Sequence, residues 1–316
     1  MRELELIRPR VARTASAPPV FLVGPARSGT SLLYKLLCLH PEAAWISNWL
    51  ARAPDVPALA ALNRLAAEAP HARRRVWFGA DGSNAYVYGD RRRHRDRLFP
   101  MPHEGERVYA ACGIPQIQRL EGASAAHAAG ELRTAVAAVC RASGAPVFLN
   151  KRIANNRRIP LLRQAFPDAR FISLVRDGRA VAMSLSTVDW WPDSLVWWYG
   201  DTPAHWAAEG RDPWELCARN WLEELHAVES GLEDVPREQV LALSYESFLD
   251  APVDTLQRLA DFAGLAPSRV WDRSVRSLAF PNRNEAWRIK LDDDAVRTIT
   301  DIQSDELRSH GYALER

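Results

Sequence analysis

Between Pro19 and Ala43 the chain reads VFLV, then GPARSGTS, then LLYKLLCLHPE, and few folds accommodate that order. A short continuous apolar run such as Val20–Val23 marks a strand buried on both faces. The segment from Gly24 to Gly29 then forms a turn. From Thr30 the apolar residues Leu33, Leu36 and Leu37 fall on one helical face, and the pattern stops at His40-Pro41. A glycine-bounded turn between a buried strand and a helix aims backbone N–H groups at one point, and the helix adds the positive end of its dipole. The stretch therefore predicts an anion-binding loop. Arg27 contributes a fork of donors suited to phosphate or sulfate oxygens, and Ser28, Thr30 and Ser31 place hydroxyls around Gly29.

The usual nucleoside-triphosphate loop is G-x-x-x-x-G-K-[ST]. Here the glycines have that spacing, but Thr30 stands where the lysine belongs. That lysine reaches the terminal phosphates, so its absence opposes a small-molecule kinase or NTPase. The dinucleotide pattern G-x-G-x-x-G is absent as well.

Later segments repeat the strand–helix alternation. Strands are predicted at Pro146–Asn150, Arg170–Val175 and Val240–Ser244. Helices are predicted at Asp55–Ala69, Ala123–Arg141, Arg157–Ala165, Arg179–Ser186, Trp214–Ser230, Pro252–Phe262 and Asp294–Leu307. Such alternation implies parallel strands joined by right-handed crossovers. The expected fold is α/β: a P-loop-like three-layer architecture with a central parallel sheet flanked by helices. A flexible arm over residues 1–17 and a single domain over 18–316 are expected, with an irregular, lid-like excursion at about 71–110.

Two further predicted strands end in basic residues. Pro146–Asn150 runs into Lys151, and Arg170–Val175 runs into Arg176-Asp177-Gly178-Arg179. Ligands of doubly wound sheets lie beyond the carboxyl ends of the strands. Arg27, Lys151 and Arg176 should thus converge on one crevice. Ser184 follows Arg176 by eight residues, just over two helical turns, and reaches the same side.

These segments carry a resemblance. The loop PARSGTSLLYKLLCLHPE, the run Leu149-Asn150-Lys151 and the stretch FPDARFISLVRDGRAVAMS (Phe166–Ser184) are similar to those of sulfotransferases that use 3′-phosphoadenosine 5′-phosphosulfate (PAPS). The interval of 25 residues from Lys151 to Arg176 resembles the tyrosylprotein sulfotransferase branch and its bacterial relatives. Leu243-Ser244-Tyr245-Glu246 and Trp287-Arg288 are weaker echoes. The resemblance implies that Arg27, Ser28, Gly29, Thr30 and Ser31 hold the 5′-phosphosulfate and that Arg176 and Ser184 clamp the 3′-phosphate. It implies that Lys151 and Arg27 stand beside the transferring sulfuryl group and that Arg288 closes over the donor. Tyr245 either touches the donor or packs under it.

In that branch a glutamate soon after the first helix takes the acceptor's proton. Here Ser47 or Asn48 falls near its place, which opposes a peptide tyrosine acceptor and favours a small-molecule hydroxyl: aromatic, lipid or natural-product-like. A base must then come from the excursion, where His94, His103, Glu104 and Glu106 occur; Glu104 and His103 are favoured. The tryptophans from Trp190 to Trp221 form either an acceptor pocket or core packing. Donor binding without turnover, as in a non-catalytic nucleotide-binding protein, is the remaining alternative.

Composition narrows the setting. A net charge of +2 over 316 residues implies no nucleic-acid or membrane partner. Cys38, Cys112, Cys140 and Cys217 show no paired spacing, so neither zinc nor disulfides are expected, and no metal is assigned. No secretory signal or membrane span is read, and a cytoplasmic location is expected.

Overall fold

The computed structural model describes residues 17–79 and 97–314. The predicted arm lies outside them except for Ala17, whose N–H donates to Pro146 O at 3.2 Å. Five strands pair in one sheet: β1 (Val20–Val23), β2 (Ala43–Ala44), β3 (Val147–Lys151), β4 (Arg170–Val175) and β5 (Val240–Ser244). Their order is β2-β3-β1-β4-β5 and every pair is parallel.

β1 is central because its four residues are apolar on both sides. Val20 and Leu22 pack against Leu33, Leu36 and Leu37 of helix Thr30–Cys38 and against Leu256 and Leu259 of helix Pro252–Ala263. Phe21 and Val23 face the opposite layer, with Leu132 and Val136 of helix Gly122–Ser143 and Leu161 and Leu162 of helix Ile159–Ala165. Each such buried side chain contributes roughly 1.5–3 kcal/mol. The result is the expected three layers. The chain leaves β1 with β3 on one side and β4 on the other, so the strand order reverses at β1 and opens a crevice at its carboxyl end.

Register sets which residues line that crevice. Leu22 is level with Lys151 on β3, and Val23 with Ser173 on β4. Lys151 and Arg176 therefore emerge beside the turn that begins at Gly24.

Several expectations on the β1–β3 connection change. The predicted helix Asp55–Ala69 is a 3₁₀ turn, Pro57–Ala61, followed by helix Leu62–Glu68. Proline at the first turn and Ala69-Pro70 at the end set those bounds. The excursion begins with a regular helix, Pro70–Phe78, which buries Arg73, Val76, Trp77 and Phe78. Arg73 lies over the Trp77 ring at 5.8 Å, so an arginine occupies a core position that a polar reading assigns to solvent. Glu106–Ala111 is helical too. The middle of the excursion, 80–96, which holds His94, lies outside the described residues. Among the described residues no helix is long and apolar enough to cross a membrane, and all four cysteines are buried and unpaired with one another.

The two glycines of the loop meet different constraints. At Gly24 (φ 142°) a Cβ would lie 2.2 Å from Leu174 O; at Gly29 (φ 96°) it would lie 2.5 Å from the Tyr245 ring. Gly29→Ala is expected to destabilise the fold by about 1–3 kcal/mol, because ring and loop must separate at an already left-handed residue. Urea unfolding of Gly29→Ala checks this, and a midpoint equal to wild type would refute the contact.

Candidate functional site

The loop from Gly24 to Gly29 is held from three directions. Asn156, in the 3₁₀ turn Ile153–Arg157 after β3, accepts from Gly24 N at 3.0 Å and donates to Gly24 O at 3.0 Å. Glu224 of helix Pro213–Leu232 fixes Asn156 at 2.6 Å and pairs with Arg157 at 3.0 Å. Burial raises the Glu224 carboxyl pKa, against the pull of Arg157 and the hydrogen bonds from Asn156 and Trp197. From the other side Arg176 Nη1 donates to Arg27 O at 3.0 Å. The third support is the Tyr245 ring under Gly29, over which the Arg176 guanidinium lies at 4.7 Å.

Arg27 is the one non-glycine residue among those described with φ in the left-handed region, at 70°. That conformation costs about 1–2 kcal/mol. It turns the Arg27 carbonyl toward Arg176 and the side chain toward Ser184, whose Oγ accepts from Nε at 3.0 Å. Arg27, Arg176 and Ser184 are thus joined in one hydrogen-bonded cluster. Ser28 Oγ and Thr30 are buried beneath the loop, and Ser28 Oγ has no protein partner among the described residues. An orphaned hydroxyl beside loop amides and a helix N-terminus fits a phosphate or sulfate oxygen. Ser31 is half-buried in the first turn of the helix.

Across β1, Lys151 Nζ donates to Glu104 Oε1, and Ile153 N donates to Glu104 Oε2 at 3.2 Å. Burial tends to raise the Glu104 carboxyl pKa, but the Lys151 charge, its hydrogen bond and the Ile153 amide outweigh that and hold it below the ordinary value. A strap brings Glu104 there. Ser47 pairs with Pro102 in an antiparallel bridge, Asn48 N donates to Met101 O at 3.0 Å, and His103 N donates to Ile46 O at 2.8 Å. Asn150 Nδ2 on β3 donates to Glu104 O at 3.1 Å, and Arg152 pairs with both oxygens of Glu106 at 2.6 and 2.7 Å. Ser47 and Asn48, where the resemblance called for a base, instead cap a helix and secure this strap. His103 Nδ1 accepts from Gly105 N at 2.9 Å, and burial keeps its pKa below the ordinary value despite the nearby Glu104 charge.

The remaining expectations divide. Tyr245 packs under the loop, as just described. Arg288 pairs with Glu285 and lies over Trp287 at 4.6 Å; from the same segment Asn284 and Arg283 O reach Arg176. Most of the tryptophan cluster is structural: Trp191, Trp206 and Trp221 are buried, and Trp197 and Trp198 donate to Glu224 and Asn220. Trp190 is exposed. Asn156, Glu224 and Asn284 were not foreseen, because isolated polar residues with no spacing rule give no sequence signal. Nor was the grouping of Glu229 with Glu306 and His310 at the end of the last helix, whose side-chain oxygen and nitrogen atoms lie within 4.8 Å of one another.

Residues 18–269 match the sulfotransferase family. No curated protein matches the sequence significantly. Among solved structures, sulfotransferase STF9 from Mycobacterium avium shares 16% identity, with 95% of this chain and 78% of that chain covered at a TM-score of 0.57. The sulfotransferase domain of the Synechococcus PCC 7002 olefin synthase shares 15% identity over 95% of this chain and 97% of its own, at a TM-score of 0.50. Likeness at such identity speaks for the fold, whereas the family match runs through the loop, Lys151, Arg176, Ser184 and Tyr245. The chain belongs to the sulfotransferase family, whose enzymes draw their sulfuryl group from PAPS.

Proposed function

We propose that this protein transfers the sulfuryl group of PAPS to the hydroxyl of a small-molecule acceptor, with Glu104 as general base and Lys151 as the cation beside the transferring group. The observation that carries the reading is the Lys151–Glu104 pair at the carboxyl end of β3, next to the loop. PAPS supplies the sulfuryl group, and its two phosphate-bearing ends call for two anion contacts. Arg27, Ser28, Gly29, Thr30 and Ser31 would hold the 5′-phosphosulfate; Arg176 and Ser184 would hold the 3′-phosphate, with Arg288 near the segment that covers it.

The acceptor oxygen attacks sulfur in line. The bond from sulfur to the bridging oxygen breaks, and its electron pair leaves with adenosine 3′,5′-bisphosphate. The acceptor's proton passes to Glu104. Charge grows on the bridging and sulfuryl oxygens, where Lys151, Arg27 and the loop amides provide fixed donors. Glu104 suits the base role because its carboxylate is held against Lys151 at the carboxyl end of β3 and is unprotonated at neutral pH. His103 suits it less. A backbone N–H can only donate, so Nδ1 accepts from Gly105 and the neutral ring carries its proton on Nε2, leaving no lone pair for an acceptor hydroxyl. The likeness to the tyrosylprotein branch extends to motif spacing, but Ser47 and Asn48 serve the strap, which favours an aromatic, lipid or natural-product hydroxyl over a peptide tyrosine. Exposed Trp190 is the candidate aromatic contact for such an acceptor.

Four outcomes test the reading. Lys151→Ala should lower turnover about 100- to 1,000-fold while calorimetry still detects adenosine 3′,5′-bisphosphate; undiminished turnover removes Lys151 from the mechanism. Glu104→Gln should lose about 100-fold or more, with His103→Gln far milder, and the reverse pattern would exchange their roles. A depressed carboxyl loses its charge only as pH falls through its folded pKa, so the acid limb of kcat/KM should lie below the ordinary glutamate range. Finally, ³⁵S-labelled PAPS offered with phenols, lipid alcohols and tyrosyl peptides should label the first two classes; labelling of peptides alone would overturn the acceptor assignment.

A further inference from the structure

The carboxyl end of the chain returns to the donor-binding cluster. Helix Asp293–Ser309 ends in a turn built on Gly311 (φ 78°): Gly311 N donates to Arg308 O at 3.0 Å and Tyr312 N to Leu307 O at 2.8 Å. This paired capping pattern reverses the chain and presses the residue after the glycine back on the last turn. Tyr312 accordingly packs with Leu307, Trp221 and Val181. Its hydroxyl donates to Glu246 Oε2 at 2.9 Å.

Glu246 is a junction. Its other oxygen, Oε1, accepts from Asp177 N at 3.1 Å and from Asn284 Nδ2 at 2.9 Å. Asn284 Oδ1 in turn accepts from Arg176 Nε at 2.9 Å. An amide has one acceptor end and two donors, so the bond to Glu246 decides which way Asn284 presents its oxygen. Glu246 thus grips Arg176 twice, through the backbone of the next residue and through its guanidinium partner. Burial, together with the Glu246 carboxylate, raises the Tyr312 phenol pKa, so the hydroxyl stays a donor.

We infer that Tyr312 is a positioning residue for the donor: acting through Glu246 and Asn284, it orients the Arg176 guanidinium toward a 3′-phosphate. The inference rests on the proposed role of Arg176. It gives a task to the end of the chain, beyond residue 269 where the family match stops. Removing the phenol oxygen leaves the ring packing intact, frees Glu246 to rotate and loosens the Arg176 guanidinium at Nε, while its Nη1 bond to the Arg27 carbonyl and the Asn156 and Tyr245 supports keep the loop in place.

The test compares two ligands that differ at one group. Adenosine 3′,5′-bisphosphate and adenosine 5′-monophosphate share the nucleoside and the 5′-phosphate, but only the first bears a 3′-phosphate. Wild type should prefer the first. Tyr312→Phe should weaken the bisphosphate about five- to tenfold, the effect of one ordinary net hydrogen bond, and leave adenosine 5′-monophosphate unchanged. In turnover, KM for PAPS should rise with kcat unaltered. Glu246→Gln should act in the same direction, and the double variant should be no worse than the worse single one. Equal losses on both ligands would mean a general structural role, and no loss would mean no role; either overturns the inference. A wild type without preference would instead overturn the 3′-phosphate role of Arg176, and the relay with it. Thermal unfolding of each variant separates these outcomes from misfolding.

Discussion

The hydrogen bond from the Arg176 guanidinium to the Arg27 carbonyl is the contact on which the site turns. A left-handed arginine within a loop is unfavourable by itself, and it persists where the surroundings over-determine it. Here β4 supplies Arg176, the turn after β3 supplies Asn156, and the segment after β5 supplies the ring of Tyr245. Each support comes from a different crossover, so the loop has its shape only when the sheet order is complete. The local strain and the global topology are then two views of one arrangement: the folded core stabilises a loop whose left-handed Arg27 reaches Ser184 and Arg176.

Charge is divided across β1. On the β4 side lie Arg27 and Arg176. On the β3 side a lysine and a carboxylate are paired, and a second pair, Arg152 with Glu106, lies next to it. A nearly neutral chain thereby maintains a locally cationic cluster beside two ion pairs. Partly buried pairs of this kind are less screened than surface ones, and breaking one leaves an uncompensated charge. The strap Met101–Gly105 depends on this: its carboxylate is held by Lys151, its backbone by Ile46, Asn48 and Asn150.

The legibility of the chain follows from how local each signal is. β1, β4 and β5 have the bounds their sequence runs suggest: β1 is buried and apolar at all four residues, while β4 and β5, half-buried in part, still stand out by their apolar and β-branched residues. Helix Pro70–Phe78 escaped notice because Arg73 fills a core position and breaks the apparent period. Strand β2 is two residues long and carries no period at all. Within the site, Arg27, Lys151 and Arg176 were legible because each stands at the end of a readable strand. Asn156, Glu224 and Asn284 were not, since their partners lie 132, 68 and 108 residues away.

The sequence by itself determined the class of fold and the strand–turn–helix geometry of the Gly24–Gly29 loop, and it put Thr30 where a triphosphate loop carries lysine. Those properties depend on runs and spacings within about 25 residues, where backbone geometry alone links residue type to position. Only the tertiary structure decided the rest. It made one cluster of Arg27, Arg176 and Ser184, set Glu104 rather than a residue near Ser47 against Lys151, turned Tyr245 under Gly29 and brought Tyr312 to Glu246. Such contacts join segments far apart in the chain, and only the parallel order of the sheet and the packing of its helices fix which distant side chains meet.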